Sequence, residues 1–148
     1  MGHGFKGKRL AEFTYLVERC KIREMSEAIG DPNVLYTDPV AARAEGYEDV
    51  IAPPTFGTCV GLWGGPGFPD LCRKLGANPV QMLHAEHEYQ YLGPVYPGDN
   101  LHATIELTDV YTKEGRSGRM KFYVVETTCM NQSGEKVLIS RATLLERV

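Results

Sequence analysis

Asp31, Asn33 and Tyr36 lie close together in Gly30-Asp31-Pro32-Asn33-Val34-Leu35-Tyr36 and form a set able to handle a proton and a polar substrate. A carboxylate can activate water, an amide can hold or orient a polar group, and a phenol, titrating near about pH 10, donates hydrogen bonds at neutral pH but is a poor base. From the residues alone, Asp31 reads first as an Asx-turn side chain capping backbone N–H groups. Tyr36 reads equally well as an aromatic at a surface or a dimer seam.

His84 and His87 invite a metal reading, but in a regular strand a spacing of three puts them on opposite faces, with His84 beside Glu86 and Glu88, so they are not expected to share an ion. Cys20, Cys59, Cys72 and Cys129 are far apart, with no C-x-x-C pair, and read as reduced thiols. Gly64-Gly65-Pro66-Gly67 follows a helical pattern rather than a strand, which argues against a phosphate-binding loop. No metal and no cofactor is expected.

The elements that must position these residues fall into two halves. Ile22, Met25 and Ile29 recur at helical spacing, and Gly30-Asp31-Pro32 ends that helix; before it, 13–17 is β-prone. Asp38 and Pro39 supply an N-cap and a first helical residue for a short helix over 40–45, closed by Gly46. A third helix starts at Pro53-Pro54-Thr55, with Phe56, Cys59, Val60 and Trp63 as its core stripe, and a fourth covers 69–75 before Gly76.

Beyond that point the period changes to two. Leu101, Ala103, Ile105 and Leu107 alternate with polar residues, and 84–91, 101–110, 120–130 and 137–145 read as strands joined by Gly- and Asn-rich turns. Helices first and antiparallel strands second predict one α+β domain over 1–148, its most apolar helix packed on a curved sheet.

Of 148 residues, 43% are hydrophobic and 24% charged, a balance that suits a globular core. The net charge of -3 excludes the basic field that binds nucleic acid, and no apolar run is long enough to span a membrane. The first residues, which hold a small cluster at Lys6, Lys8 and Arg9, contain no apolar stretch of signal-peptide type, so a cytoplasmic location is expected.

Gly30-Asp31-Pro32-Asn33-Val34-Leu35-Tyr36-Thr37-Asp38 resembles the hydratase motif of MaoC-like proteins, G-D-x-N-P-hydrophobic-H followed by aspartate. Ile51-Ala52-Pro53-Pro54-Thr55-Phe56 resembles the start of the central helix in the FAS1-like dehydratase branch of that family. His84-Ala85-Glu86-His87-Glu88-Tyr89 and Pro94-Val95-Tyr96-Pro97-Gly98-Asp99 resemble its strand and its P-V-x-x-G-D turn. The resemblance covers most of the chain, with its motifs in order.

That resemblance implies a hot-dog fold and reversible hydration of a 2-enoyl thioester, on coenzyme A or an acyl carrier protein, to an (R)-3-hydroxyacyl thioester. In the family an aspartate and a histidine share the proton work while a helix-start N–H polarises the carbonyl. By position, Asp31 and Tyr36 are the candidate catalytic residues, and Asn33, Thr55 and Phe56 the candidate substrate-binding ones. Tyr36 stands where the family has histidine, and Pro54, with no N–H, stands where catalytic members commonly have glycine.

Both departures resemble the non-catalytic subunit or half of two-part dehydratases, which shapes the acyl pocket beside a histidine-bearing hot-dog partner. Two alternatives stay open. One is a self-sufficient homodimeric hydratase or thioesterase, and the other a module that binds acyl-CoA without turning it over.

Overall fold

The computed structural model describes residues 7–116 and 118–147; Met1–Lys6 and Ser117, part of an expected hairpin turn, lie outside the described residues. Strand β1 (Lys8–Leu16) leads into α1 (Arg19–Ala28) and α2 (Pro39–Ala44). The central helix α3 (Gly57–Cys59) continues as a π-type turn over Val60–Gly64, and α4 (Phe68–Leu75) follows. Then come β2 (Met82–Tyr91), β3 (Asn100–Gly115), β4 (Gly118–Met130) and β5 (Lys136–Arg147).

The strands form one antiparallel sheet in the order β1-β3-β4-β5-β2. Leu101, Ala103, Ile105 and Leu107 are all at most 5% exposed, so the alternation read from the sequence is the buried face of β3. Against that face lies α3: Phe56, Cys59 and Val60 share one core with Leu101, Ala103, Cys129 and Leu138. Burying a ring such as Phe56 stabilises the fold by about 1.5–3 kcal/mol, so this contact is a principal anchor of helix to sheet. The arrangement is the α+β, helix-wrapped sheet expected of a hot-dog domain.

Local chemistry sets the helix ends. Gly30 takes a left-handed φ of 69° after α1, and the Asp31 N–H reaches back to the Ser26 carbonyl at 3.0 Å, a closure that a side chain on Gly30 would strain. Asp38 caps α2 by accepting from the Val40 and Ala41 amides at 2.8 and 3.3 Å.

Three expectations need correction. Trp63, assigned to the core stripe, is 72% exposed, with the Lys21 ammonium 5.6 Å from its ring centre. The π-type turn after Cys59 adds residues to each turn and rotates position 63 off the buried face. The helix also starts later than Pro53, because the Phe56 N–H closes a turn onto the Pro53 carbonyl at 2.9 Å. Finally β1 begins at Lys8 rather than Phe13 and carries the exposed charges Lys8, Arg9 and Glu12, as edge strands permit.

A second core, under α4, carries a buried polar pair. Glu146 accepts from the Tyr123 hydroxyl at 2.8 Å and from the Asn78 N–H at 2.7 Å, and burial together with this carboxylate raises the Tyr123 pKa. Tyr123→Phe leaves one Glu146 oxygen without its donor in the core. An expected loss of about 1.5–3 kcal/mol, measured by denaturant unfolding, follows from that unpaired charge.

Candidate active site

The motif residues close onto one another at the C-terminal end of α1. Asp31 Oδ1 accepts from the Asn33 N–H at 3.1 Å, forming an Asx turn, and Asn33 Oδ1 accepts from the Leu35 N–H at 3.0 Å, capping the 3-10 turn Val34–Tyr36. That turn points the Tyr36 ring inward, 6% exposed, where its phenol interacts with the Asp31 and Asn33 side chains. Sequence spacing therefore brings Asp31, Asn33 and Tyr36 into one constellation.

Burial, followed by the negative charge of Asp31, raises the Tyr36 pKa above the ordinary phenol value. The group stays protonated at neutral pH and can donate to a carboxylate or a carbonyl, but it cannot accept a proton as imidazole does.

Two backbone ties hold this segment against its neighbours. The Ile51 N–H donates to the Leu35 carbonyl at 3.0 Å, and the Ala52 N–H donates to the Val95 carbonyl at 2.9 Å. Asp99, buried in the P-V-x-x-G-D turn, accepts from the Tyr96 N–H at 2.8 Å and from Gln132 Nε2 at 3.0 Å. Arg19 clasps Asp49 through two bonds of 2.8 and 2.5 Å, which hold the Asp49 pKa at about 2 and fix the loop before Val50.

Between these segments opens a cavity of about 450 Å³, lined by Tyr36, Tyr47, Ile51, Pro54, Tyr91 and Pro94 among others. Tyr36 and Pro54 thus face the same space. Thr55 is exposed on the turn that precedes α3, and Phe56 is fully buried in the core; neither lines this cavity.

One amide at the start of α3 is already engaged. The Phe56 N–H serves the Pro53 carbonyl at 2.9 Å, and the Tyr91 phenol donates to that same carbonyl at 3.2 Å. Proline at 54 supplies no N–H, so the Thr55 amide is the nearest one left at this helix start for a developing oxyanion. Tyr91 was not legible as a participant: nothing in its local sequence says that its phenol bonds the Pro53 carbonyl, 38 residues earlier.

A second polar cluster was also missed. A bulge between His84 and Glu86 inserts one residue into β2, so His84, His87 and Tyr89 all turn to the inner face, opposite Leu144, Ala142 and Ser140. Contrary to the regular alternation, the two histidines share a face, with His84 Nε2 3.2 Å from His87 Nδ1, and Glu86 and Glu88 lie on the other side. Among the described residues no group of three or more His, Cys, Asp or Glu side chains could hold a metal ion.

Comparison with known proteins agrees with this geometry. The family model described as "FAS1-like, dehydratase domain region" matches residues 4–140. A UPF0336 protein of Streptomyces avermitilis is 36% identical over 133 residues, covering 90% of this chain and 85% of that protein. Among solved structures, a MaoC-like dehydratase superposes with a TM-score of 0.78 at 26% identity; the match covers 98% of this chain, which spans only 43% of that longer one.

The ChsH1-ChsH2 complex from Mycobacterium tuberculosis contains a chain that superposes with a TM-score of 0.73 at 25% identity, over 93% of this chain and 83% of that one. No helix among the described residues is long and apolar enough to cross a membrane. The chain belongs to the FAS1-like dehydratase-region family of MaoC-like hot-dog proteins.

Proposed function

We propose that this chain is the substrate-binding half of a cytoplasmic acyl-thioester hydro-lyase, completed by a histidine-bearing hot-dog partner. Its substrates are 2-enoyl and (R)-3-hydroxyacyl thioesters of coenzyme A or an acyl carrier protein. One observation carries the reading: at the motif, an assembled Asp31-Asn33-Tyr36 constellation presents a protonated phenol where the chemistry needs a base. Pro54 has no N–H and the Phe56 amide is spent on the Pro53 carbonyl, which weakens the second requirement, a donor for the thioester oxygen.

In this half, Asp31 and Asn33 build the turn, and Tyr36 presents its ring and hydroxyl to the cavity. Thr55 and Phe56 position the start of the helix beside it. The surface is consistent with a partner: β2 is an edge strand, and Leu62, Trp63 and Phe68 are exposed beside α3 and α4. Similarity to a chain of the two-component ChsH1-ChsH2 complex supports the same reading.

Reconstitution tests it. Mixed with a MaoC-like chain that carries G-D-x-N-x-x-H, this chain is expected to form a stable one-to-one complex by light scattering and to hydrate crotonyl-CoA in the complex fractions. Failure with every such chain encoded beside it would contradict the proposal.

A further inference from the structure

The bulge in β2 contributes to a second cavity, which shares no lining residue with the first. A cavity of about 260 Å³ lies between α3, α4 and the inner face of the sheet. Most of its lining is apolar, including Leu62, Phe68, Leu71, Ile105, Val125 and Leu144. Gly61 opens it further, since a Cβ built there meets nothing within 4 Å.

One wall is different. His84, His87, Ser140 and Thr58 face this space, and they are wired together. His87 Nε2 lies 2.6 Å from Ser140 Oγ; His87 Nδ1 lies 3.2 Å from His84 Nε2 and 3.3 Å from the Tyr89 hydroxyl, which in turn bonds Thr58. The Tyr89 ring stacks on His87 with centroids 4.3 Å apart, fixing the imidazole plane.

Proton counting shows what this wall can offer. Two potential donors converge on Nδ1, which suits the tautomer with its proton on Nε2, donated to Ser140. Desolvation and the neighbouring His84 lower the His87 pKa, which favours the neutral ring. Ser140 then keeps its own O–H for another acceptor, and among the described residues its hydroxyl has no side-chain partner besides His87. In the other tautomer Ser140 donates to His87 and keeps its lone pairs. Either way Ser140 keeps a hydrogen-bonding function towards a mostly apolar cavity, whose lining also includes Thr127.

We propose that this cavity binds an acyl chain bearing an oxygen substituent, keto or hydroxyl, with Ser140 as the specificity-determining contact and His87 as its positioning residue. An all-hydrocarbon chain would fill the same volume but strand that polar group, which is how buried hydroxyls discriminate between otherwise similar ligands. This inference rests on the acyl-thioester reading above, and its test separates the two.

Calorimetry on the full chain would compare decanoyl-CoA with 5-, 7- and 9-oxodecanoyl-CoA, and decanoic acid with the matching free oxo acids. At least one oxo thioester is expected to bind about 3- to 10-fold more tightly than decanoyl-CoA, the size of one net hydrogen bond. Ser140→Ala should abolish that preference while leaving decanoyl-CoA affinity unchanged, and Gly61→Leu should weaken every ligand by occupying the cavity. A preference seen only among the free acids upholds the pocket and overturns its use for thioesters. Equal binding of oxo and plain chains in both sets, or a preference that survives Ser140→Ala, overturns the proposal.

Discussion

Gly57→Val is expected to lower the melting temperature by about 4–10 °C, from an overpacking cost of about 1–3 kcal/mol in a chain of this size. A Cβ at position 57 would stand 2.7 Å from Tyr89 Cε1 and 3.2 Å from Leu138 Cδ2, so helix and sheet must move apart. The same displacement breaks the Thr58–Tyr89 bond and loosens the wall that holds His87. Gly61→Ala makes the opposite case: nothing crowds its Cβ, and the gain in helix propensity, up to about 1 kcal/mol, should raise the melting temperature. Differential scanning calorimetry of the two variants distinguishes close packing at the start of the helix from open space one turn later. An unchanged melting point for Gly57→Val would contradict the contact between α3 and β2.

The second large effect concerns the reconstituted enzyme. Replacing the partner's motif histidine by alanine is expected to lower kcat by about 10²- to 10⁴-fold, the usual weight of a positioned acid or base. Tyr36→Phe in this chain should change kcat by no more than about threefold, since it removes one modest hydrogen bond and leaves the ring in place. The asymmetry is the point of the comparison. If Tyr36→Phe costs as much as the partner's substitution, the phenol takes part in proton transfer and the division of labour between the halves is wrong.

Much of the scaffold was written locally. The period-two alternation of β3, the Asp38-Pro39 start of α2 and the glycine at the end of α1 each follow from residues adjacent in sequence, and each is present in the fold. The motif constellation was legible for the same reason: an Asx turn and a 3-10 cap are short-range structures, so spacing alone brings Asp31, Asn33 and Tyr36 together. Resemblance to a family supplied the meaning of that spacing; the residues alone favour Asp31 as a turn former.

What was hidden depends on geometry that no local pattern specifies. His84 and His87 were assigned to opposite faces because strand alternation was assumed unbroken, and one inserted residue reversed that. Trp63 fits a regular helical stripe and leaves it only because the helix widens into a π-type turn. The partners of His87 and of the Pro53 carbonyl, Ser140 and Tyr91, come from strands brought in by tertiary pairing. Hairpin registers and bulges, rather than composition, decide which polar groups meet in this domain.

The most direct test of the assignment to a non-catalytic half is the rate at which the purified chain, free of any partner, hydrates crotonyl-CoA. With Tyr36 protonated and no N–H at Pro54, the absorbance of the enoyl thioester is expected to fall no faster than in buffer. Turnover at an ordinary enzymatic rate, about 10 per second, would contradict it and return the chain to the self-sufficient hydratases.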